Sequence, residues 1–312
     1  MIKTLVTGAG GFVGSAVCSE MKSRGMDHVP AVRTGRNASH RVVGDIGAGT
    51  DWRDALSGCD TVLHVAARVH QMNDTASDSM ALYRSVNVDG TINLARQAEA
   101  AGVRRFVFVS SVKVNGETSV GKPFSAGDVP APADAYGLSK WEAEQQLRAM
   151  RRSSMEMVIV RPPLVYGPGV RANFLQLMKI VQLGLPLPLG AVASSRSLVG
   201  IDNLVDFLIV CLLHPGAAGK TWMISDQHDV SLPELVRMIA AAMHKPARLL
   251  PVPVWLLKTG AGLIGKTAMM QRLTDPLVVD ARPARAELAW RPPVTMEAGI
   301  RRTVEHFLSG RA

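Results

Sequence analysis

The feature that most constrains the fold lies at residues 4–14, which read TLVTGAGGFVG. A strand pattern ends there, and Gly8, Gly11 and Gly14 separate it from a helical pattern. Glycine at such positions allows a tight turn, close approach of the backbone to a pyrophosphate, and packing of the helix on the strand. The helix N-terminus adds free N–H groups and a positive dipole end. This context predicts a nucleotide-binding loop, whereas the glycine pattern alone is also compatible with a tight turn that binds nothing.

Short apolar runs alternate with helical patterns through the first half of the chain. Strand patterns such as HVPAVR, TVLHVAA and RRFVFVSS are separated by segments of helical length. This alternation predicts parallel βαβ units and an α/β fold with a doubly wound parallel sheet. Prolines become more frequent after MEMVIVRPP. We therefore predict a dinucleotide-binding domain over 1–165, with 196–228 returning to it, and a substrate-binding region over 166–195 and 229–312.

Composition narrows the class of protein. The chain has 312 residues, 47% of them hydrophobic, and a formal net charge of +9, which predicts a packed core and suits an anionic ligand. The basic residues are scattered and only three tyrosines occur, so no nucleic-acid partner is expected. The longest apolar run contains Asp202 and Asp206 and is too short to span a bilayer, and the N-terminus lacks a signal-peptide pattern. We expect a soluble, cytoplasmic protein without membrane insertion, and no metal, because no histidine or cysteine pattern has metal-site spacing.

One apolar segment near the C-terminus admits two interpretations. Residues 252–266 read VPVWLLKTGAGLIGK, with basic residues near the end of the run, which is compatible with contact to a membrane surface. The run is short and contains three glycines, which favours a helix packed on the core. Arg272, a few residues later, is a candidate for binding a diphosphate, the alternative being a solvated helix face.

Two arginines follow the second strand pattern, in the segment AVRTGRN. An acid about 20 residues after a glycine loop usually binds the ribose hydroxyls of NAD, whereas arginine there accommodates the extra phosphate of NADP. Arg33 and Arg36 occupy this place, and no acid follows until Asp45. Guanidinium groups match a phosphate in charge and geometry. NADP(H) is therefore favoured and NAD(H) remains open, while the alternative interpretation makes both arginines solvated loop residues.

A serine, a tyrosine and a lysine form a candidate acid–base group. Tyr136 and Lys140 are four residues apart at the start of a helical pattern, so they share one helix face. A nearby ammonium is expected to lower the tyrosine pKa, which lets the hydroxyl exchange a proton with a carbonyl or alcohol oxygen. Ser110 and Ser111 end the preceding strand pattern, at the sheet edge where such folds bind ligands. We predict that Ser111, Tyr136 and Lys140 are catalytic.

At this point the chain resembles a known family. Its segments TGAGGFVG, GDI, HVAA, NVDGT, FVFVSS, YGLSK, RPPLVYGPG and ELAWRPP are similar, in order, to those of the extended short-chain dehydrogenases/reductases. This group contains sugar-nucleotide epimerases, dehydratases and reductases on a Rossmann-like fold. The resemblance implies a UDP-sugar substrate. It also implies a homodimer formed by the helical segments 87–101 and 137–152.

The resemblance assigns further residues to the ligands. Cofactor contacts are implied for the glycine loop and the start of its helix, for the adenine pocket and for the cofactor groove. They are also implied for the segment that supports the active-site lysine and for the strand end near the nicotinamide. The residues are Gly8, Gly11, Phe12, Val13, Gly14, Asp45, Ile46, Ala66, Ala67, Asn87, Ser110, Tyr136, Lys140, Pro162 and Val165. Substrate contacts are implied for Asn173 and Arg196 at the diphosphate. Lys113 and Asn115 depart from the usual VYG pattern, reading VNG, and are expected to face the sugar.

The resemblance leaves three functions to compare. The subgroup most similar in SSVKVNGE and ARLLPVPVWLLK is the UDP-N-acetylquinovosamine dehydrogenases. Together with Arg33 this implies an NAD(P)H-dependent reductase of a UDP-4-keto-6-deoxy-N-acetylhexosamine in O-antigen synthesis. The alternatives are a UDP-GlcNAc or UDP-glucose 4-epimerase with retained NAD, and a non-catalytic NADP redox sensor. The intact tyrosine and lysine argue against the sensor.

Overall fold

The computed structural model describes residues 2–35, 39–69, 79–150, 154–263, 265 and 267–310. Its strands are β1 Thr4–Thr7, β2 His28–Val32, β3 Arg41–Val42, β4 Thr61–His64, β5 Arg105–Val109, β6 Glu156–Arg161, β7 Leu164–Tyr166, β8 Ser195–Arg196, β9 Leu198–Gly200, β10 Thr221–Met223 and β11 Val230–Ser231. Its α-helices are α1 Phe12–Ser23, α2 Arg53–Leu56, α3 Ser79–Tyr83, α4 Gly90–Ala100, α5 Ala135–Ala149, α6 Ala172–Gln182, α7 Ile201–Leu213, α8 Leu232–Ala242, α9 Val254–Leu263, α10 Thr267–Thr274, α11 Arg282–Leu288 and α12 Met296–Leu308. A π-helix spans Arg84–Asp89, and 3₁₀ turns span Val112–Val114 and Pro215–Ala217.

Seven parallel strands form the central sheet, in the order β10-β6-β5-β4-β1-β2-β3. From β1 the sheet extends through β2 and β3 on one side. The chain then returns to the other side of β1, where β4, β5, β6 and β10 follow in order. Ligands of such sheets bind at the carboxyl ends of the strands, where the order reverses. The prediction of an α/β fold with a doubly wound parallel sheet is confirmed.

Each face of the sheet is covered by helices, because alternate residues of a strand point to opposite faces. On β5, Phe106 packs into the cluster that also holds Leu94 of α4 and Leu147 of α5. Its neighbour Val107 packs into the opposite cluster, beside Val17 of α1 and Phe207 of α7. The near-continuous apolar strands therefore bury both faces.

A third cluster lies outside the sheet and joins the later parts of the chain. Tyr166 and Phe174 stack with ring centroids 5.5 Å apart, among apolar residues of α6, α8 and α12. A capping box between Ser231 and Glu234 begins α8. Between these segments β10 returns to pair with β6, while α7 packs against α1. The domain boundaries given above stay a prediction.

Helix α9 lies on the surface rather than in the core. Val254 and Leu257 pack against the third cluster, and Ala261 is buried. Trp255 is 66% exposed and Leu263 is 85% exposed. The sequence interpretation of a core-packed helix is therefore correct for one side of α9 only. Across the described residues, no helix combines the length and apolar character required to cross a membrane.

Candidate active site

The glycine loop is closed by contacts that exclude side chains. A Cβ atom on Gly8, whose φ is +66°, would lie 2.9 Å from the backbone of Ala66, and one on Gly14 would lie 2.1 Å from the Gly8 carbonyl oxygen. Gly11 is the N-cap residue of α1 and has no side chain that could bond the first backbone N–H groups of the helix. The first turn of α1 contains no acidic residue. The backbone amides and positive end of the helix are therefore left for an anionic ligand. These residues fit the pyrophosphate of a dinucleotide.

Other predicted cofactor residues line the same edge of the sheet. Phe12 and Val13, in the first turn of α1, are half-buried and pack on the core. The Thr7 hydroxyl accepts the N–H groups of Val65 and Ala66 at 3.2 Å each, which joins the ends of β1 and β4. The half-buried Ala67 follows Ala66 directly.

The region after β2 carries a surface ion pair. Arg33 Nη1 lies 3.7 Å from Asp45 Oδ1, with the two side chains 75% and 90% exposed. Ile46, beside Asp45, is half-buried and packs on the core. Exposed pairs at this distance contribute little to stability. Arg36 lies outside the described residues.

Ser111 and Tyr136 are brought into contact. Asp134 accepts a hydrogen bond from Gly137 N at 2.7 Å and thereby begins α5, which places Tyr136 in its first turn. The Ser111 hydroxyl lies near enough to that of Tyr136 to influence its pKa. Burial raises the pKa of Tyr136, the negative charge of Asp134 raises it further, and the Ser111 hydroxyl opposes both. The pair can hold and exchange a proton at a substrate oxygen.

Lys140 reaches the same edge but bonds to the backbone. Its Nζ donates to the Val109 carbonyl at 2.8 Å and lies 4.4 Å from the ring centroid of Phe108. Burial lowers the pKa of Lys140 to about 7, and the charge of Glu144 opposes that change. The sequence predicted that Lys140 lowers the pKa of Tyr136. In the structure the effect of burial dominates, and the pKa of Tyr136 is raised.

His64 is a buried residue that connects several elements. Its ring nitrogens pair with the hydroxyls of Thr7 at 2.7 Å and Thr91 at 2.9 Å. Burial, and secondarily the charge of Lys140, lowers the His64 pKa to about 3, so the ring is neutral. The ring stacks on Phe108 at 5.8 Å between centroids. This neutral bridge joins β1, β4 and α4 beneath the site.

Asn87 links the groove to the catalytic helix. Its amide donates to the Arg68 carbonyl and to Ser139 Oγ, each at 3.0 Å, and its Oδ1 accepts from Arg68 N at 2.8 Å. Ser139 precedes Lys140, and its hydroxyl donates to the Tyr136 carbonyl at 2.8 Å. The structure thus places Asn87 where it steadies the turn of α5 that carries Lys140.

A buried polar network missed by sequence reasoning lies behind Ser111. Glu144 is fully buried and accepts hydrogen bonds from Ser110 at 2.5 Å and from Arg161 at 2.6 and 2.9 Å. Arg161 also donates to Asn115 Oδ1 at 2.9 Å, and Asn115 Nδ2 donates to the Ser125 carbonyl at 2.8 Å. The sequence signal was a glutamate one turn after Lys140 on the same helix face.

This network corrects two expectations. Ser110 was predicted to contact the cofactor and Asn115 the sugar. In the structure, both are buried and both side chains bond inside the protein, because the buried charges of Glu144 and Arg161 require partners. Their observed role is to hold the segment that carries Ser111.

The predicted substrate residues lie at a neighbouring charged cluster. Lys113 Nζ bonds to Glu117 Oε1 at 2.9 Å and to Asp134 Oδ2. Burial lowers the Lys113 pKa, but these two carboxylates outweigh it and the pKa is raised. Arg272 lies 3.6 Å from Glu117, and Arg196 Nη1 donates to the Arg272 carbonyl at 2.6 Å.

Three further predicted residues lie around these contacts. Asn173 is exposed in the first turn of α6, and the half-buried Val165 packs on the core. The Pro162 carbonyl accepts from Val112 N at 3.0 Å, which fixes the segment after Ser111. Among the described residues, no cluster of three or more His, Cys, Asp or Glu side chains could hold a metal ion.

With this geometry established, comparison with known proteins assigns the family. A profile described as "NAD dependent epimerase/dehydratase family" matches residues 4–225. The chain belongs to this family. A relative in Vibrio cholerae named UDP-glucose 4-epimerase is 47% identical over 97% of this chain and 95% of its own length. A 2-alkyl-3-oxoalkanoate reductase of Stenotrophomonas maltophilia is 29% identical, covering 96% of this chain and 98% of that protein.

Among solved structures, a UDP-glucuronic acid 4-epimerase from Bacillus cereus in complex with NAD has a TM-score of 0.80. The alignment covers 100% of both chains at 21% identity, so the similarity shows the fold. Family membership makes the chain an enzyme of the extended short-chain dehydrogenase/reductase type.

The comparison corrects the function predicted from sequence. Reduction of a UDP-4-keto-6-deoxy-N-acetylhexosamine is wrong, because the relative at 47% identity is named an epimerase. The error arose from the subgroup resemblance together with Arg33. An arginine beside the ribose bears on which dinucleotide binds, whereas Ser111, Tyr136 and Lys140 serve epimerases and reductases of this family equally.

The variant Lys140→Met, measured without added cofactor, tests whether the pKa of the buried Lys140 amine is lowered. Because folding lowers the Lys140 pKa from 10.5 to about 7, the unfolded chain binds more protons than the folded chain between these values. The stability of the parent therefore rises with pH there. Relative to Lys140→Met, its free energy of unfolding should rise by up to about 1.4 kcal/mol per pH unit, measured by urea unfolding at several pH values.

Lys122→Met is the matched control, because Lys122 is 74% exposed and pairs with Asp128 at the surface. The pH dependence of this control should follow that of the parent. Equal pH dependence in Lys140→Met and the parent would contradict a lowered Lys140 pKa.

Proposed function

We propose that the protein is a UDP-hexose 4-epimerase that retains its nicotinamide dinucleotide through each turnover. The observation that carries the proposal is the 47% identity with the epimerase of Vibrio cholerae, over 97% of this chain. The contact between Ser111 and Tyr136, beside the buried Lys140, supports it with an acid–base pair at the ligand-binding edge. The alignment with that epimerase covers nearly the full length of both chains, so it includes the predicted substrate-binding region.

The mechanism assigned to these residues is proton exchange at the C4 oxygen of the hexose. The chemistry that a bound nicotinamide supplies is reversible hydride transfer with C4, without net change in the cofactor. Tyr136 accepts the proton of the C4 hydroxyl as the ketone forms, and returns it when the ketone is reduced. Ser111, whose hydroxyl lies near that of Tyr136, holds the same oxygen. Inversion at C4 requires the 4-keto sugar to rotate within the site between the two hydride transfers.

Lys140 supports the tyrosine electrostatically. In its cationic form it stabilises the Tyr136 phenolate, which accepts the proton of the C4 hydroxyl and forms again when that proton is returned. This role requires Lys140 Nζ to move from the Val109 carbonyl toward the ligand. Asn87, through Ser139, holds the turn on which that movement occurs.

The charged cluster beside the site is proposed to take the diphosphate of the UDP-sugar. Arg196 and Arg272 lie together, with Arg196 anchored on the Arg272 and Asp275 carbonyls at 2.6 and 2.9 Å. Guanidinium groups bind phosphates through charge and paired N–H donors. Asn173, exposed at the start of α6, adds an amide and a helix N-terminus. Lys113 is proposed to face the sugar from the other side.

We propose NAD as the retained dinucleotide, in place of the NADP(H) favoured from sequence. The charge of Arg33 is paired with Asp45, and its side chain is 75% exposed. The family description also names NAD. A cytoplasmic location and a role in O-antigen synthesis stay predictions.

Tyr136→Phe should lower the rate of UDP-glucose to UDP-galactose interconversion by about 10²–10⁴-fold, because it removes the group that exchanges the proton. Chromatography of the UDP-sugars without added cofactor measures the rate, and UDP-GlcNAc with UDP-GalNAc forms a parallel assay. Tyr166→Phe is the matched control, since the Tyr166 hydroxyl bonds to Asp226 in the third cluster. Failure of the parent to interconvert either pair, or consumption of added NADH, would contradict the proposed function.

The cofactor proposal predicts what the purified protein carries. Denaturation should release NAD without the 2′-phosphate, identified by mass spectrometry. Arg33→Ala should release the same dinucleotide in the same amount. Release of NADP by the parent and its loss from Arg33→Ala would overturn the proposal and restore the arginine-based prediction.

A homodimer formed through α4 and α5 is proposed from the family resemblance. Ala95 and Ala98 of α4 and Ala143 and Leu147 of α5 pack inward on the sheet, which leaves the outer sides of both helices available to a second copy. Light scattering should give twice the 33.4 kDa of one chain. A mass of one chain at working concentrations would refute the dimer.

A further inference from the structure

The positive charge of the chain is concentrated in two segments. Residues 157–201 and 235–274 contain ten of the 35 Lys and Arg residues and none of the 26 Asp and Glu residues. The rest of the chain is nearly neutral, with 25 basic against 26 acidic residues. The whole formal net charge of +9 is thus accounted for by 85 residues, which include α6, α9 and α10.

These basic residues are only partly explained by the site. Arg196 and Arg272 lie at the proposed diphosphate position, and Arg161 is buried against Glu144. Others are exposed, including Lys245 and Arg248. A single UDP-sugar does not require positive charge at these places, so another anionic surface would account for them.

The same segments expose large apolar side chains. We call this set the α9 face, and it consists of Leu183, Leu185, Leu250, Trp255, Leu256 and Leu263. Monomeric proteins rarely leave such side chains grouped without a partner or a membrane to cover them. Trp255, Leu256 and Leu263 belong to α9, whose other side packs on the third cluster. Leu183 and Leu185 follow α6, and Leu250 precedes α9.

Backbone contacts join the parts of the α9 face. Leu250 N donates to the Leu187 carbonyl at 2.8 Å, and Gly190 N donates to the Leu250 carbonyl at 2.9 Å. Lys245 Nζ donates to the Gln182 carbonyl at 2.5 Å, beside Leu183. The chain after α6 therefore lies alongside the chain before α9. Exposed leucines and exposed basic residues both occur within this one junction.

We propose that the α9 face docks the enzyme on a membrane surface that contains anionic phospholipid, an interaction that goes beyond the proposed function. Tryptophan and leucine enter the boundary between headgroups and acyl chains, while lysine and arginine remain at the phosphates. Helix α9 has ten residues and is about 15 Å long, too short to cross a hydrocarbon core of about 30 Å. The arrangement is that of a helix lying in the interface.

Charge complementarity favours this occupant over a second copy of the chain. Two α9 faces in contact would bring two sets of basic residues together, and neither segment contributes an acid to offset them. Lys258 is paired with Asp275, the first acid after the second segment, which leaves Lys245 and Arg248 as the charges beside the leucines. An anionic lipid surface neutralises these charges and covers the apolar side chains together.

Vesicle sedimentation with the full chain tests the proposal. At low salt the protein should sediment with phosphatidylcholine vesicles that contain about 30% phosphatidylglycerol and remain free of pure phosphatidylcholine vesicles, and salt should weaken the binding. Trp255→Glu combined with Leu263→Glu should lower binding more than about tenfold. Arg248→Gln should lower it about fivefold.

Val120→Glu combined with Val129→Glu is the matched control, because these valines are 76% and 87% exposed outside the two segments. The control should bind vesicles as the parent does, and all variants should keep the parental melting curve and solution activity. Absence of parental binding to the anionic vesicles would overturn the proposal. Equal vesicle binding by the two double variants would also overturn it. So would a change in the oligomeric mass of the Trp255→Glu, Leu263→Glu variant without a change in its lipid binding.

Discussion

The buried carboxylate of Glu144 sets the geometry on which the site depends. A charge with no access to water must be paired and hydrogen-bonded, and here Arg161 supplies the opposite charge while Ser110 supplies a further donor. Glu144 belongs to α5, Ser110 follows β5 and Arg161 ends β6. Helix α5 is therefore held to two neighbouring strands at their carboxyl ends. Arg148 of the same helix is a second cationic partner of Glu144, with Nη2 2.8 Å from Oε2, while Arg161 ties the carboxylate to β6.

The same desolvation governs the catalytic groups. Burial raises the pKa of Tyr136 and lowers the pKa of Lys140 to about 7, so the site resists charge on either side chain. Lys140 accordingly bonds to the Val109 carbonyl and packs over the ring of Phe108.

Much of the architecture was predictable because it depends on local pattern. Glycines at 8, 11 and 14 permit one strand–loop–helix geometry, and the spacing of Tyr136 and Lys140 places both on one helix face. The roles expected for Ser110 and Asn115 were different from those observed, because their partner Arg161 lies on a separate strand. The subgroup resemblance and Arg33 together led to the wrong reaction. An exposed loop arginine paired with Asp45 does not determine whether the cofactor is consumed or retained.

By itself the sequence determined the α/β class, the alternation of strands and helices in the first half of the chain, the glycine loop between β1 and α1, and the spacing of Tyr136 and Lys140 on one helix face. These follow from periodicity, from backbone freedom at glycine, and from spacing along one helix, all of which are short-range properties. Tertiary structure alone decided which polar groups pair in the interior, that the His64 ring is neutral, and that one side of α9 faces solvent. Those outcomes depend on desolvation and on contacts between residues far apart in the chain, and no local pattern encodes either.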